Sequence, residues 1–408
     1  MNPCHMCGSK NLERFLDLGM QPHSDSFLTA EEIGQPEMFY PLSVFLCNDC
    51  GLVQIGFLVD GSTLYQKNYI YQTSITKTAR DHYFGFSRLV CSRFGIPKGS
   101  LVVDIGSNVG ILLVGFREQG MKVLGIDPAP NIAKLALEEN GVETIPDFFT
   151  SALAERIVKE KGQASVIAAT NIFAHLHDLH DATKAISILL KKGGIFVVEA
   201  PYLVDLLGNL EYDTMYHQHL RYLSIKPMAA FFARYGLEIF DVEKFGIHGG
   251  SIRVFVARKG EQGISPSVQK FLDLEESEQV YSIGRLRRFA EDVKEQRRQL
   301  RVLLDDIRRQ GKRIVGVSAP AKGNTLLNYC GIDTATLDYI TEKSRLKQGL
   351  FTPGMHIPIY SDDRLLKDNP DYALILAWNF ADEIMRNLDD YRKRGGKFII
   401  PIPKPRIV

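Results

Sequence analysis

The chain has almost no net charge: 49 Lys and Arg against 48 Asp and Glu leave +1. That balance lacks the basic footprint of a nucleic-acid binder, so no nucleic-acid partner is expected. It lacks an apolar run long enough to span a bilayer, and the first residues, MNPCHMCGSK, lack the apolar core of a signal peptide. No membrane partner is expected, and a cytoplasmic location follows as the reading. With no export signal, the six cysteines are not expected to pair as disulfides. There is no short-period repeat and no low-complexity tract. What remains, at 45% hydrophobic and 24% charged residues, is ordinary globular composition. A length of 408 residues fits two or three domains.

Four of the cysteines fall in two CxxC pairs, Cys4 with Cys7 (CHMC) and Cys47 with Cys50 (CNDC). Each pair brings two thiolates to one ion, and two pairs make a closed tetrahedral sulfur site suited to structural Zn²⁺. His5, between the first two ligands, is expected to face solvent. Cys91 and Cys330 have no partner at ligand spacing and read as small buried residues.

Residues 61–98 read as helical. From residue 101 short apolar runs (LVVDIG, KVLGID, SVIAATN, GGIFVVEAP) alternate with amphipathic segments such as GILLVGFREQG and LHDATKAISILLKKGG. That alternation predicts βαβ units and a doubly wound parallel sheet. LEIFDVEKF and GSIRVFVARKG read as a late antiparallel pair. In the charged stretch 265–310, Leu and Phe at helical spacing predict one or two long helices packed on another element, while the charge pattern by default reads as a solvated arm between domains. Beyond Lys312, RIVGVSA, TLDYIT, YALILAW and KFIIPI predict a second, smaller α/β unit.

LVVDIGSNVG sets Asp104, Gly106, Asn108 and Gly110 where the first strand turns into the first helix. Gly106 lets a ligand approach the backbone, and the helix N-terminus offers free N–H groups. A dinucleotide fold carries G-x-G-x-x-G there; the second glycine is absent, which counts against an NAD dehydrogenase. The D-x-G-x-x-x-G turn is instead the one S-adenosylmethionine (SAM) methyltransferases use. Asp127, in GIDPAP with Pro128, is placed to accept both ribose hydroxyls. Asp147 is placed to meet the adenine amino group, with Phe148 beside the ring.

Ligand crevices of doubly wound sheets lie at the carboxyl ends of the strands. Asn171 and His175 (NIFAH) are therefore expected to face the cofactor crevice, with Glu199 and Tyr202 near it. His177 and His180 read as decoration of the next helix. MYHQHLRYLS (215–224) follows. Its polar rings would be costly to bury unpaired, so it is either the lining of a pocket or a polar interdomain loop. GVSAPAKGNT opens a helix after a strand, and its backbone N–H groups with Lys322 are suited to cradling a pyrophosphate.

In this order and spacing, the CxxC pairs, VVDIGSNVG, NIFAH, VEAPY, YHQHLRYLS, GIHGGSIRV, SAPAKGNTLLNY, KQGLFTPGMHIPI and DYALILAWN make the chain resemble the SAM-dependent sugar-nucleotide C-methyltransferases. The resemblance covers nearly the whole length. It implies transfer of a methyl group to C-3′ of an NDP-linked 4-keto-6-deoxy sugar, with dTDP or GDP as the carrier, in branched-sugar biosynthesis. It implies His219 as the base that removes the C-3′ proton, with Tyr216, His175 and Tyr71 (or Tyr69) positioning the sugar or stabilising the enolate. Gln218 stands where the family usually has glutamate. Lys322, Gly323, Asn324 and Asn379 are implied near the sugar nucleotide, with His248 and Arg253 approaching from the SAM domain, and Tyr202 in the same substrate group. Lys347 and Asn379 read equally as a cap or a surface charge. The family tends to carry Asp-x-Asn-Pro before this lysine, where this chain has Glu342, Ser344 and Arg345.

The expected fold is α/β: a zinc module (1–60), a central Rossmann-like SAM-dependent methyltransferase domain (61–259), and a smaller C-terminal Rossmann-like α/β domain (260–408) holding the sugar nucleotide. Cofactors are SAM and structural Zn²⁺, and a monomer is expected. The rival activities are a SAM-dependent O- or N-methyltransferase acting on another small molecule, and a zinc-dependent scaffold with a degenerate methyltransferase fold.

Overall fold

The computed structural model describes residues 2–61, 64, 77–246 and 249–408. Three sheets organise it. The first is antiparallel: β1 (Leu12–Pro22), β2 (Phe39–Cys47) and β3 (Val53–Ile55), completed at its edge by β9 (Arg221–Tyr222). Val53 pairs with Tyr222 and Gln54 with Arg221. The motif MYHQHLRYLS thus supplies a strand to the N-terminal module from far along the chain.

The second sheet has seven strands in the order β10-β11-β8-β7-β4-β5-β6. β4 (Leu101–Ile105), β5 (Lys122–Ile126), β6 (Thr144–Ile145), β7 (Ala164–Thr170) and β8 (Leu190–Pro201) run parallel. β10 (Leu237–Phe245) and β11 (Ser251–Arg258) are the anticipated antiparallel pair, and β11 joins β8 antiparallel. Side chains alternate between the two faces, as a pleated strand requires. Val102, Val166 and Val197 pack on one side with Phe116 and Phe86, while Val103, Ile167 and Phe196 pack on the other with Leu153, Ile186 and Phe232. Burial on both faces is why these strands read as continuous apolar runs. The helix before β8 ends at Leu189, short of the expected KKGG, because Leu190 already pairs with Ala164 of β7.

The third sheet is ordered β14-β13-β12-β15-β16-β17. β12 (Ile314–Val317), β13 (Ile340–Thr341), β14 (Ile359–Tyr360), β15 (Tyr372–Ile375) and β16 (Lys397–Ile400) are parallel, with β17 (Arg406–Ile407) antiparallel at one edge.

The charged stretch forms the expected long helices, and they pack on a core rather than standing as a solvated arm. Its helices span Pro266–Ser277 and Ile283–Arg309, and the second carries a buried stripe of Leu286, Phe289, Ala290, Val293, Leu300, Leu304 and Ile307. That three-and-four spacing is one face of a helix. It packs in one core with Leu16 and Val44 of the N-terminal sheet, Tyr212, and Ile314 and Leu374 of the C-terminal sheet. Gln296 on the same seam accepts from Tyr212 Oη at 2.7 Å and donates to the Pro401 carbonyl at 2.8 Å. The charges that suggested an arm lie on the opposite face, as in the Arg298–Glu295 pair. Among the described residues no helix is long and apolar enough to cross a membrane.

Leu300→Ala should lower stability by about 2–5 kcal/mol through the cavity it leaves, whereas Arg298→Ala, at the exposed face, should change it by less than about 0.5 kcal/mol. Chemical denaturation of the two variants checks this; equal effects would mean the stripe is not the packed face.

Candidate active site

The strand β4 ends in a turn whose geometry only certain residues tolerate. Gly106 has φ +68°, and a Cβ there would lie 2.5 Å from Ile172 Cγ1, so glycine is required both for conformation and for space. Asn108 also sits at positive φ, 49°, a region asparagine reaches more readily than most residues. Gly110 caps the following helix at φ 80°, against Val142. Asp127 ends β5 and ties the two turns together: Oδ2 accepts from the Asn108 amide at 2.9 Å and Oδ1 from the Ala129 amide at 3.0 Å. Burial pushes its carboxyl up, against those two donors.

These turns open onto a cavity of about 900 Å³. Gly106, Asn108, Asp127 and Pro128 line one end, with Asp147 and Phe148 at the exposed rim. Asn171, at φ 56°, brings the end of β7 into the same wall. Such a backbone position at a strand end costs of order 1–3 kcal/mol and marks a site held by its surroundings.

The middle of the cavity is built from rings. His219 Nδ1 lies 2.7 Å from the Thr214 carbonyl, so in the neutral ring Nδ1 carries the proton. Nε2 is then an acceptor, and the Tyr216 hydroxyl donates to it at 2.8 Å. The His175 ring stands 4.7 Å from that of His219, centroid to centroid. Burial, and then the charges of His219 and Arg221, hold His175 well below the usual imidazole range, so it is neutral at physiological pH. Gln218 is 2% exposed and also faces this space. Arg221, buried, donates to the Leu176 carbonyl at 2.6 Å and to that of His177 at 3.3 Å, which fixes the FAHLH loop against β9.

The far end belongs to the C-terminal sheet. The SAPAK turn after β12 runs into the helix Ala321–Cys330. Glu342, after β13, accepts from the Ala319 amide at 2.7 Å, and Lys347 Nζ donates to the Ala319 carbonyl at 2.7 Å. Lys347 is 6% exposed, so it is neither a surface charge nor a cap. Lys322 Nζ lies 4.1 Å from the centre of the Trp378 ring. Burial pulls its ammonium down, opposed by Asp213 and Glu211. Trp378 Nε1 in turn donates to Asp213 Oδ2 at 2.7 Å. Asn379, with Oδ1 buried, lines the same end.

The cysteines meet as their spacing predicts. Cys4 Sγ is 3.5 Å from Cys50 Sγ, Cys7 Sγ is 3.5 Å from Cys47 Sγ, and all four lie within 4.8 Å of one another. Sulfurs about 2.3 Å from a tetrahedral Zn²⁺ would stand ~3.8 Å apart, so the set fits that ion. The Cys4–Cys50 contact lowers the Cys4 thiol to about 5 and raises that of Cys50. No fifth side chain is required, and the ion would be purely structural.

Several expected residues lie elsewhere. Tyr202 is fully buried and donates to Glu275 Oε1 at 3.0 Å, away from the cavity wall. Arg253 is held by Glu199, at 2.6 Å from Nε, and lies over the Phe86 ring. Glu199 also meets His82 Nε2 at 2.8 Å, so both its oxygens are engaged. Asn324 Nδ2 donates to the Ser24 carbonyl at 2.6 Å, docking the N-terminal module. Gly323 packs against Leu376 and Pro320, and Asp104 and Gly110 lie beneath the turn rather than in the wall. Burial first, and then Asp127 and Glu199, raise the Asp104 carboxyl well above its usual range. His5 is 9% exposed, not solvent-facing; burial and Arg221 push its ring down to about 3. His177 lines the cavity instead of decorating a helix, while His180 packs on Phe231. Cys330 is buried as expected, and Cys91 is half-buried. Tyr69, Tyr71 and His248 lie outside the described residues. Arg221 and Tyr222 lie in the wall within the 215–224 stretch read as a possible pocket lining, whereas sequence reasoning missed Asp25; nothing local in the N-terminal module points from Asp25 to a site so distant in the chain.

Residues 4–65 match a zinc binding domain family, residues 80–242 a methyltransferase domain family, and residues 246–403 the C-methyltransferase C-terminal domain family. The C-methyltransferase NovU of Streptomyces niveus is 36% identical over 409 residues, covering 100% of this chain and 97% of that protein. A ubiquinone biosynthesis O-methyltransferase of Xylella fastidiosa is 27% identical over 163 residues, 36% of this chain and 63% of that protein. Among solved structures, a SAM-dependent methyltransferase of Clostridium acetobutylicum aligns at TM-score 0.36 and 16% identity, over 44% of this chain and 92% of that one.

Two measurements follow from this geometry. The purified chain should hold about one Zn²⁺, and Cys47→Ser should release it with a lower unfolding midpoint; metal analysis retaining zinc in the variant would refute the four-sulfur site. Burial pushes His217 down to about 4, below the ~6.5 of an unfolded chain. The unfolded state therefore takes up that proton first, and stability is lost as pH falls from about 6.5 towards 4. Between pH values of about 7.5 and about 5, His217→Gln should lose about 2 kcal/mol less than the parent chain. Urea unfolding at both pH values reads the difference, and identical losses would contradict it.

Proposed function

The chain belongs to the C-methyltransferase family, and from that premise we propose that it transfers the SAM methyl group to C-3′ of an NDP-linked 4-keto-6-deoxy sugar. Methylation with SAM is the family's chemistry. The sugar, the carbon and the base are our reading, and the observation that carries it is the His219 pair of hydrogen bonds. A ring whose Nδ1 proton is committed to a carbonyl offers Nε2 as a base of fixed tautomer.

A C–H bond beside a ketone is acidic because the enolate spreads its charge onto oxygen. His219 Nε2 exchanges its Tyr216 partner for the C-3′ hydrogen and takes it as a proton. The Tyr216 hydroxyl then donates to the ketone oxygen, where negative charge develops. His175, neutral beside it, orients the sugar. SAM, when bound, supplies a methyl group whose bond to sulfur breaks, the electron pair staying on sulfur, as the new C–C bond forms.

Gly106, Asn108, Asp127, Pro128, Asp147, Phe148 and Asn171 are assigned to SAM at one end of the cavity. Lys322, Lys347 and Asn379 are assigned to the nucleoside diphosphate at the other, on the C-terminal unit. We divide the chain as 1–60, 61–259 and 260–408 on this basis, with Tyr71 and His248 assigned to the sugar by resemblance. The ketone at C-4′ also acidifies C-5′, so the exchanging carbon identifies the methylated one.

With SAM and a dTDP- or GDP-linked 4-keto-6-deoxy sugar, the protein should add one methyl by mass, and solvent deuterium should enter C-3′. His219→Asn should slow both by roughly 10²–10⁴-fold while S-adenosylhomocysteine binding by calorimetry is unchanged. Undiminished exchange in the variant would remove His219 as the base. Methyl transfer without exchange at carbon would point to an O- or N-methyltransferase.

A further inference from the structure

Gln218 lies between two histidines that turn to opposite sides. His217 packs on Tyr40 and reaches the Pro41 carbonyl at 3.4 Å. His219 faces the cavity with Tyr216 and His175. The Gln218 side chain is on the cavity side, 2% exposed, and its Nε2 is buried with no hydrogen-bond partner among the described residues. A buried N–H without an acceptor carries an unmet desolvation cost. This one sits on the loop that holds His219 and lines the same cavity, where a ligand group can meet it.

The wall carries charge of both signs: Arg221 contributes to holding His175 and His177 down, while Asp60 raises His177 and Asp25 lines the same cavity. Selectivity at Gln218 therefore lies with its own donor: a protonated amine has no lone pair with which to accept from Nε2. An uncharged oxygen, by contrast, accepts from Nε2 and leaves no donor unmet.

We propose that Gln218 is a specificity-determining residue, its amide N–H receiving an uncharged oxygen beside the ketone, so that the enzyme takes a 4-keto sugar with a hydroxyl at C-3′ and discriminates against one with a protonated amine there. This rests on the keto-sugar reading above. A carboxylate at the same position would reverse the preference, because it would pair with the ammonium.

The test compares kcat/KM for 4-keto-6-deoxy sugars bearing hydroxyl or amino at C-3′, on dTDP and on GDP, for the parent protein, Gln218→Glu and Gln218→Leu. The parent should favour the hydroxyl sugar by tenfold or more. Gln218→Glu should shift that ratio at least tenfold towards the amino sugar. Gln218→Leu, which keeps the volume and lacks the donor, should raise KM for the hydroxyl sugar more than it lowers kcat. S-adenosylhomocysteine binding reports that the variants are folded. A parent ratio near one, or a ratio unmoved in both variants, overturns the role of Gln218 while methyl transfer itself stands. A parent protein that binds S-adenosylhomocysteine and methylates neither sugar overturns the keto-sugar reading, and this inference with it.

Discussion

The two-residue pairing of β3 with β9 is the constraint on which the site depends. Val53 with Tyr222 and Gln54 with Arg221 attach the MYHQHLRYLS segment to a sheet formed by the first 55 residues. Once Arg221 and Tyr222 are in that ladder, alternation along the strand and the turn before it determine which neighbours face inward. Arg221 then reaches back to the Leu176 and His177 carbonyls, so the loop carrying His175 is held by the same strand. The rings are therefore supported from a module whose other specialised feature, the four-cysteine cluster, never touches the cavity. Its contribution is rigidity delivered through a sheet edge.

A second line of contacts reaches the same rings from the opposite side. Trp378, in the short helical turn after β15 of the C-terminal sheet, donates to Asp213, and the next residue, Thr214, offers the carbonyl that His219 Nδ1 uses. Asp213 is fully buried, its carboxyl raised by that burial and lowered by Lys322 and Trp378. Charge at the C-terminal turn and proton position on His219 thus meet within two residues of backbone. The arrangement places the ionised and neutral groups of the cavity under the control of elements from all three sheets.

Much of this was readable from the chain itself. The CxxC spacing and the alternation of apolar runs with amphipathic segments report local chemistry and resolved as read; the D-x-G-x-x-x-G motif forms its turn, but Asp104 and Gly110 lie beneath it rather than in the cavity wall. The strands of the N-terminal module went unread because the knuckle cysteines dominated that segment. The helix Ile283–Arg309 was misjudged because its Arg and Glu residues outnumber its apolar stripe, although the stripe has helical spacing. Tyr202, Arg253 and Asn324 are polar residues near the right strand ends that found partners in Glu275, Glu199 and the Ser24 carbonyl. Residue type announces a need for a partner without saying whether protein or ligand meets it. Asp25 and His177 show the converse, since their place in the wall is set by packing between segments distant in sequence.

The shared core has a bearing on synthesis. Leu16 and Val44 emerge from the ribosome early, yet surfaces that cover them, around Phe289 and Leu304, arrive only after the central sheet has been made. Local pairing of β1 with β2 and capture of a metal ion by the cysteines can proceed at once, but one face of that young hairpin must stay open to solvent until translation is well advanced. An early metal clasp would keep this waiting hairpin in register, giving the ion a role during biogenesis as well as in the finished protein.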